Sequence, residues 1–272
     1  MQSPSAGPEP ERSRRRRVKV VDEIIETLRQ EIVTRRLPHG GRLPSEKELS
    51  DRFQVSQPTV REAIRALETL GLVEVFHGNG TFVRSQGDYA LASALQTLLQ
   101  LQRVGIMEVL DVRQVLGRHS IEVAAVNATA EDIAAIEAAS ARFYNPGDLK
   151  DVDEVIRCVI EFQRVVSAAS RRPILQSLEA FLLALLNEVQ VTSLTGRGIR
   201  FWRARAMEFQ PHRIAILEGL RASDPVAARW AIDRYFEAQR ARFDQDEALR
   251  SIDLASPKLV TIVADMVRLS RD

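Results

Sequence analysis

The sequence predicts a mainly α-helical protein with two parts: an N-terminal winged helix-turn-helix (three helices plus a β-hairpin wing) and a C-terminal all-α helical bundle. Three observations support this fold class. Apolar residues recur at helical spacing along most of the 272 residues. Two short capped helices are predicted close together, over 45–52 and 56–70. Next, an Asn-Gly pair at 79–80 separates two strand-like runs. From there on, only helical patterns appear.

Composition narrows the class of protein. The chain is 45% apolar but has no apolar run near 18 residues and no signal-peptide pattern, so we expect a cytoplasmic location. The one cysteine, Cys158, excludes an internal disulfide. Residues 1–84 carry 15 Lys+Arg against 12 Asp+Glu, a net charge of +3, whereas the remainder carries 23 against 25. A basic N-terminal part beside an acidic remainder fits a nucleic-acid module joined to a module with another task.

Composition and periodicity also set the expected boundaries. We predict a disordered basic tail over 1–17, the winged helix-turn-helix over 18–84, a linker over 85–88, a helical domain over 89–250 and an extra C-terminal helix over 251–272. The helices expected after the linker are 89–101, 106–127, 130–143, 152–170, 173–193, 198–221, 225–247 and 257–270.

Local signals position the helix-turn-helix. The Ser45-x-x-Glu48 pattern is a capping box, which predicts that a helix begins there. Ser56 is expected to cap the third helix, with Pro58 in its first turn, where a missing amide costs little. The apolar face of that helix is left for the core. The residues predicted to face outward are Gln57, Thr59, Arg61 and Arg65.

These residues carry a family resemblance. The stretches 41–49, 55–67, 70–73 and 78–83 resemble the DNA-binding domain of the GntR family of bacterial transcription regulators. The all-helical remainder resembles the FadR branch of that family, with its FCD-type effector domain. The features that carry this second likeness are the number of helices, Asp111-Val112-Arg113, the segment 129–133 and the segments around Phe162 and His212.

The resemblance implies a set of DNA contacts: Ser45, Lys47, Gln57, Thr59, Arg61, His77 and Gly78. The chemistry of these residues agrees. Lys47 can reach a phosphate, Arg61 can pair with guanine, and Gln57 can pair with adenine. Thr59 can contact a phosphate or a thymine methyl group. His77 and Gly78 form the predicted wing tip, where glycine lets the backbone approach the minor groove. Gln57 stands where many members of the family have arginine, so we expect a different base preference at that point.

Many FCD domains hold a divalent metal with one Asp and three His. The matching positions here are Val159, Gln163, His212 and Tyr235, so one ligand of four remains. Since such sites need three or more protein ligands, we expect no metal and no cofactor. Replacement ligands such as Glu161 or His119 remain conceivable, although periodicity does not place them on the same face.

The pocket is expected to persist as an effector site formed by Arg113, Gln163, His212 and Tyr235. A small carboxylate could bind Arg113. The valine at 159 suggests instead a larger or more apolar effector, such as an acyl thioester or a ring compound.

The resemblance implies a ligand-responsive regulator that binds a pseudo-palindromic operator as a homodimer, most simply as a repressor. An enzyme is not expected, because no nucleophile motif, phosphate loop or intact metal cluster is present in the sequence. A membrane partner is not expected either. An architectural DNA-binding protein without an effector is the alternative, as is a metal-dependent regulator with a non-standard ligand set.

Overall fold

The computed structural model describes the backbone of residues 9–76, 78–84, 88–194, 196–250, 252 and 254. Side chains are described in the same ranges, except at positions 9–17, 88–90, 92, 93, 96 and 100. The chain divides into two compact units, 1–90 and 91–272. The predicted wing-tip His77, most of the 85–88 linker and the predicted helix over 257–270 lie outside the described residues.

The first unit contains three helices and two strands: α1 (Glu9–Val33), α2 (Glu46–Phe53), α3 (Gln57–Thr69), β1 (Val73–Phe76) and β2 (Gly80–Val83). Helix α1 differs from the sequence prediction because it includes 9–17, where a disordered tail was expected. Arginine, glutamate and serine are compatible with a helix, and residues 9–17 continue one whose later turns are packed. The residues that anchor it are buried: Val21, Ile24, Leu28 and Ile32.

The wing is wider than the predicted hairpin. Strands β1 and β2 pair antiparallel, with Val73 opposite Val83 and Phe76 opposite Gly80. The segment before α2 joins the outer edge of β2: the Leu43 amide donates to the Thr81 carbonyl at 2.8 Å, and the Val83 amide donates to the Gly41 carbonyl at 2.8 Å. The chain entering the helix-turn-helix is therefore fixed to the wing.

Most predicted helices of the second unit are present, with shifted ends. They are α4 (Asp88–Gln102), α5 (Ile106–Asn127), α6 (Ala130–Ala141), α7 (Val152–Ala168), α8 (Pro173–Ser193), α9 (Ile199–Glu208), α10 (Gln210–Arg221), α11 (Pro225–Gln245) and the short α12 (Glu247–Arg250), with a 3₁₀ turn at Pro146–Asp148. The prediction of a single helix over 198–221 is wrong, because the helix is interrupted at Phe209. Pro211 has no amide hydrogen and its ring crowds the preceding turn, so the helix stops and restarts.

The second unit is organised around α5, which packs most extensively against α11 and also contacts α7, α8 and α10. Helices α10 and α11 approach closely at Gly219, where a β-carbon would lie 2.8 Å from the Cα atom of Ala228. Helix α8 is long and apolar enough, by composition alone, to cross a membrane. Eight of its residues are buried against the bundle, which accounts for its apolar character.

Candidate nucleic-acid interface and effector cavity

The start of α2 is built by a complete capping box. The Glu48 amide donates to Ser45 Oγ at 3.2 Å, and the Ser45 amide donates to Glu48 Oε2 at 2.7 Å. Hydrogen bonds from the Ser45 hydroxyl and amide lower the pKa of the Glu48 carboxyl. Ser45 is exposed, and Lys47 is exposed on the first turn of the helix. This cap fixes the position from which Lys47 extends into solvent.

Two of the predicted contacts on α3 are exposed. Gln57 lies in its first turn, and Arg61 follows one turn later. The Arg61 guanidinium donates to Glu46 of α2, with Nη2 2.7 Å from Oε2 and Nε 3.1 Å from Oε1. The side-chain hydrogen bond from Arg61 lowers the pKa of Glu46. The two helices therefore present a preorganised guanidinium at the surface.

The prediction that Thr59 faces outward is wrong. Its side chain is 8% exposed, and its hydroxyl lies 2.9 Å from Ser56 Oγ. Ser56 occupies the cap position, but its hydroxyl is engaged by Thr59 and does not cap a backbone amide. Thr59 lies one turn before the buried Ala63, at the margin of the apolar face, and is buried with that face. Thr59 positions the start of the helix.

The described part of the wing contains a basic residue that the sequence analysis missed. Gly78 is exposed with a φ of +80°, a left-handed conformation that favours glycine. Arg42 pairs with Phe82 of β2, and its guanidinium lies over Gly80, where a β-carbon would be 2.8 Å from Arg42 Nε. Arg42 is exposed. Only the pairing across the wing brings it there, and local sequence does not reveal that pairing.

In the helical unit, three of the four predicted effector residues are joined by hydrogen bonds. Arg113 is buried, donates from Nη1 to Gln239 Oε1 at 2.8 Å, and also donates to Gln163 Oε1. The Gln163 amide in turn donates to the Tyr235 hydroxyl. Phe236 lies under the Arg113 guanidinium, 5.2 Å from ring centre to Cζ. Burial lowers the pKa of Arg113.

His212 lies beside this network. Its ring centre is 6.4 Å from that of Tyr235 and 6.2 Å from that of Phe209. Burial lowers the pKa of the half-buried imidazole, and the nearby cations Arg234 and Arg213 lower it further. The lowered pKa favours the neutral form of the ring. All four predicted effector residues lie in one region, where α5, α7, α10 and α11 meet.

The donor set in this region does not fit a metal. Val159 has no donor atom, and the oxygen of Gln163 already accepts from the Arg113 guanidinium, a cation that would repel a second cation. The proposed replacements lie elsewhere: Glu161 is exposed and pairs with Arg164 at 2.8 Å, and His119 is exposed. Within the described ranges, no three His, Cys, Asp or Glu side chains are grouped as a metal site.

A cavity of about 40 Å³ lies next to the network, and Val159, Gln163, Tyr235 and Gln239 form part of its wall. Several of its polar lining residues are not among the predicted effector residues: Asn187, Gln190, Arg205, Arg213 and Gln239. One signal was available for Arg205. It shares a helical face with Trp202, Ala206 and Phe209, all buried, so a cation was predictable inside the bundle.

Arg213 is the most deeply buried of these cations, with 1% of its surface exposed. Its Nη1 donates to the Ala206 carbonyl at 2.7 Å, and its guanidinium lies 3.8 Å above the Phe143 ring. Burial lowers its pKa. These contacts tie α9 to α10 across the break at Phe209. Arg213 therefore serves mainly to hold the cavity wall.

Comparison with known proteins agrees with this geometry. Residues 20–83 match the model for "Bacterial regulatory proteins, gntR family", and residues 108–238 match the model for the FCD domain. A Klebsiella aerogenes protein named "HTH-type transcriptional repressor NanR" is 30% identical over 228 residues, which cover 83% of this chain and 85% of the relative. The chain belongs to the GntR family of bacterial regulatory proteins. It is thus a ligand-responsive, DNA-binding transcription regulator and not an enzyme.

A further relative and one solved structure also resemble this chain. The Citrobacter rodentium protein of the same name is 28% identical over 228 residues, with the same coverage of both chains. Among solved structures, "Streptococcus agalactiae GntR" superposes with a TM-score of 0.60 at 21% identity, over 81% of this chain and 99% of that one. This second likeness supports the fold alone.

Proposed function

We propose that this GntR-family regulator is a cytoplasmic repressor that binds a pseudo-palindromic operator as a homodimer and is released by a small organic acid. The relatives named as transcriptional repressors support the repressing role. Two recognition helices related by a two-fold axis require two matching half-sites, which is the reason for a palindromic operator.

The observation that carries the DNA-binding assignment is the exposed edge formed by α2 and α3. Lys47, Gln57 and Arg61 are exposed there, and Ser45 and Thr59 fix the helix starts behind them. Arg61 is the residue best suited to read a guanine, because Glu46 already holds its guanidinium in one orientation. His77, Gly78 and the newly found Arg42 would contact the minor groove or the flanking phosphates.

An organic acid is favoured over an acyl thioester by the walls of the cavity. Buried guanidinium groups and side-chain amides line part of it, and a carboxylate satisfies these donors better than a thioester carbonyl does. The rest of the wall is apolar: Val155, Ile156, Val159, Leu183, Trp202, Ala206 and Phe209. Arg113, Gln163, His212 and Tyr235 would hold one side of the effector or shape its site. The effector would act by binding one arrangement of the regulator more tightly than the other, since only differential affinity can shift the equilibrium.

Selection from a library of random DNA duplexes tests the proposal. Purified full-length protein should enrich an inverted repeat whose half-sites lie about one helical turn, 10 base pairs, apart. The same protein should elute from a sizing column as a dimer. Enrichment of no sequence above the starting library, or of a single unrepeated site bound by a monomer, would contradict it.

A further inference from the structure

We infer that Arg205 is the anion receptor of the effector site and the gate through which the effector enters. This inference rests on the proposed function, because it names the residue and the ligand class at the same site. It starts from the position of Arg205, which lines both the inner cavity next to Gln163 and Tyr235 and a separate outer cleft. The side chain is part of the wall between the two spaces.

The two spaces that share Arg205 differ in volume. The inner cavity measures about 40 Å³, which accommodates water but no organic acid of ordinary size. The outer cleft measures about 370 Å³ and is open to solvent. Ligand pockets have volumes of roughly 300 Å³ or more. If the Arg205 side chain swings away from the wall, the two spaces join and the polar inner surface becomes reachable.

The contacts of Arg205 are weak enough to exchange. Its Nη2 donates to Gln190 Oε1 at 2.7 Å and its Nε donates to the same oxygen at 3.3 Å. That acceptor is neutral. Within the described part of the chain, no carboxylate forms an ion pair with Arg205. A buried guanidinium held by one amide oxygen gains strongly from an incoming carboxylate, because charge-assisted bidentate bonds are the stronger ones.

The outer cleft carries charged groups of both signs, and one of its cations, Arg242, is already paired with Glu208. Arg197 and Arg242 line it together with Arg205, and they are accompanied by Asp246 and Glu247. Burial and the neighbouring Arg242 lower the pKa of Arg205 to about 10, so the group stays charged at neutral pH. A carboxylate that crosses this cleft reaches Arg205, which also lines the inner cavity with the amide side chains. The ligand class is a compact, polar carboxylic acid, with its carboxylate on Arg205 and its polar groups on the amides of Asn187, Gln190 and Gln239.

Thermal melting of the full-length protein tests this assignment without DNA. The probes are sodium acetate, succinate, citrate and gluconate at 10 mM, each matched in ionic strength with NaCl, and the uncharged acetamide and succinamide. At least one carboxylate should raise the melting temperature by about 2 °C or more, through ligand binding to the folded state. The amides should not.

Three variants make the test specific. Arg205→Gln should abolish the shift, and Arg205→Lys should reduce it, because lysine keeps the charge but loses the paired donors. Arg200→Gln, on the exposed face of the same helix, should retain it. An equal shift in Arg205→Gln, an equal shift with the amides, or no shift with any carboxylate overturns the assignment. Since melting involves no DNA, the DNA selection described above judges the regulator separately.

Discussion

The carboxylate of Glu46 on α2 holds the guanidinium of Arg61 on α3, with 2.7 Å between Oε2 and Nη2. The pair is half exposed and lies on the edge of the helix-turn-helix that also presents Gln57 and Lys47. An arginine held in this way has fewer conformations to lose when it meets a guanine edge. The pair therefore links α2 to α3 and also orients Arg61 for contact with DNA.

The first prediction follows from this pair. Arg61→Gln should weaken binding to the selected operator by roughly ten- to a hundredfold, because a bidentate arginine–guanine contact is worth that much discrimination. The measurement is a mobility-shift titration at fixed salt. Arg29→Gln removes an equal charge from α1, where it pairs with Glu26, and should change the affinity far less. Equal losses in the two variants would mean that Arg61 contributes only general charge.

The buried network around Arg113 gives the second prediction. Arg113→Met should lower the free energy of unfolding by about 2 kcal/mol, because the side-chain oxygens of Gln239 and Gln163 lose their donor inside the bundle. Urea denaturation measures the change. Arg240→Met breaks an exposed pair with Asp111 and should cost less than about 1 kcal/mol. A loss at Arg113 no larger than that at Arg240 would contradict the proposed role of the network.

The third prediction concerns the packing that brings His212 and Tyr235 together. Gly219→Ala would place a methyl group 2.8 Å from backbone atoms of Ala228. Backbone atoms cannot rotate away as a flexible side chain could, so the two helices would have to move apart. Overpacking of this kind should destabilise the protein by about 1–3 kcal/mol. Gly147→Ala adds the same atom where no heavy atom lies within 4 Å and should be nearly neutral. Both are compared by urea denaturation.

The fourth prediction concerns acid stability. The Asp132 carboxylate accepts from the Thr129 amide at 2.9 Å in the capping box of α6, and that bond is the main cause of its lowered pKa. A folded-state pKa below the unfolded value of about 3.9 stabilises the fold above that pH. The stabilisation disappears as pH falls through the folded value.

The urea concentration at the unfolding midpoint of the wild type should therefore decrease as the pH is lowered below about 4. Asp132→Asn should be less stable at pH 7 and should show a smaller decline on acidification. Asp244→Asn, which removes an exposed carboxylate outside any cap, should keep the wild-type pH profile. A profile for Asp132→Asn parallel to the wild type would argue against the cap as its source.

The fifth prediction is the absence of a bound metal. Purified protein should contain no stoichiometric zinc, nickel or manganese by mass spectrometry, because Val159 offers no donor and Arg113 occupies the oxygen of Gln163. One equivalent of metal that disappears in His212→Ala would overturn the interpretation of these positions.

The helix-turn-helix was predictable because its signals are local. The Ser45–Glu48 box and the wing turn, which the Asn79 amide closes on the Phe76 carbonyl at 2.9 Å, each act within four residues. Gly80, the second residue of the predicted Asn-Gly turn, instead begins β2 opposite Phe76. The break at Phe209 was also readable, since Pro211 stands where a helix needs an amide, but the apolar periodicity on both sides concealed it. For this reason, one long helix was predicted over 198–221.

The missed residues depend on contacts distant in sequence. Arg42 reaches the wing because its segment pairs with Phe82, and Arg205 enters the cavity because α9 packs on α7. Thr59 lies at the margin of the apolar face of α3, where helical spacing does not separate a buried side chain from an exposed one. The family resemblance predicts that Gln163, His212 and Tyr235 share one site, although they lie far apart in the sequence. The other residues of the cavity wall come from several helices, so only the packing of those helices identifies them.

DNase I footprinting of the full-length protein on the DNA upstream of its own gene tests the central claim most directly. We expect two protected half-sites of related sequence, centred about one helical turn (10 base pairs) apart, with protection lost in Arg61→Gln and weakening as salt rises. Absence of protection at every salt concentration, or protection unchanged in Arg61→Gln, would contradict the claim that this surface reads an operator.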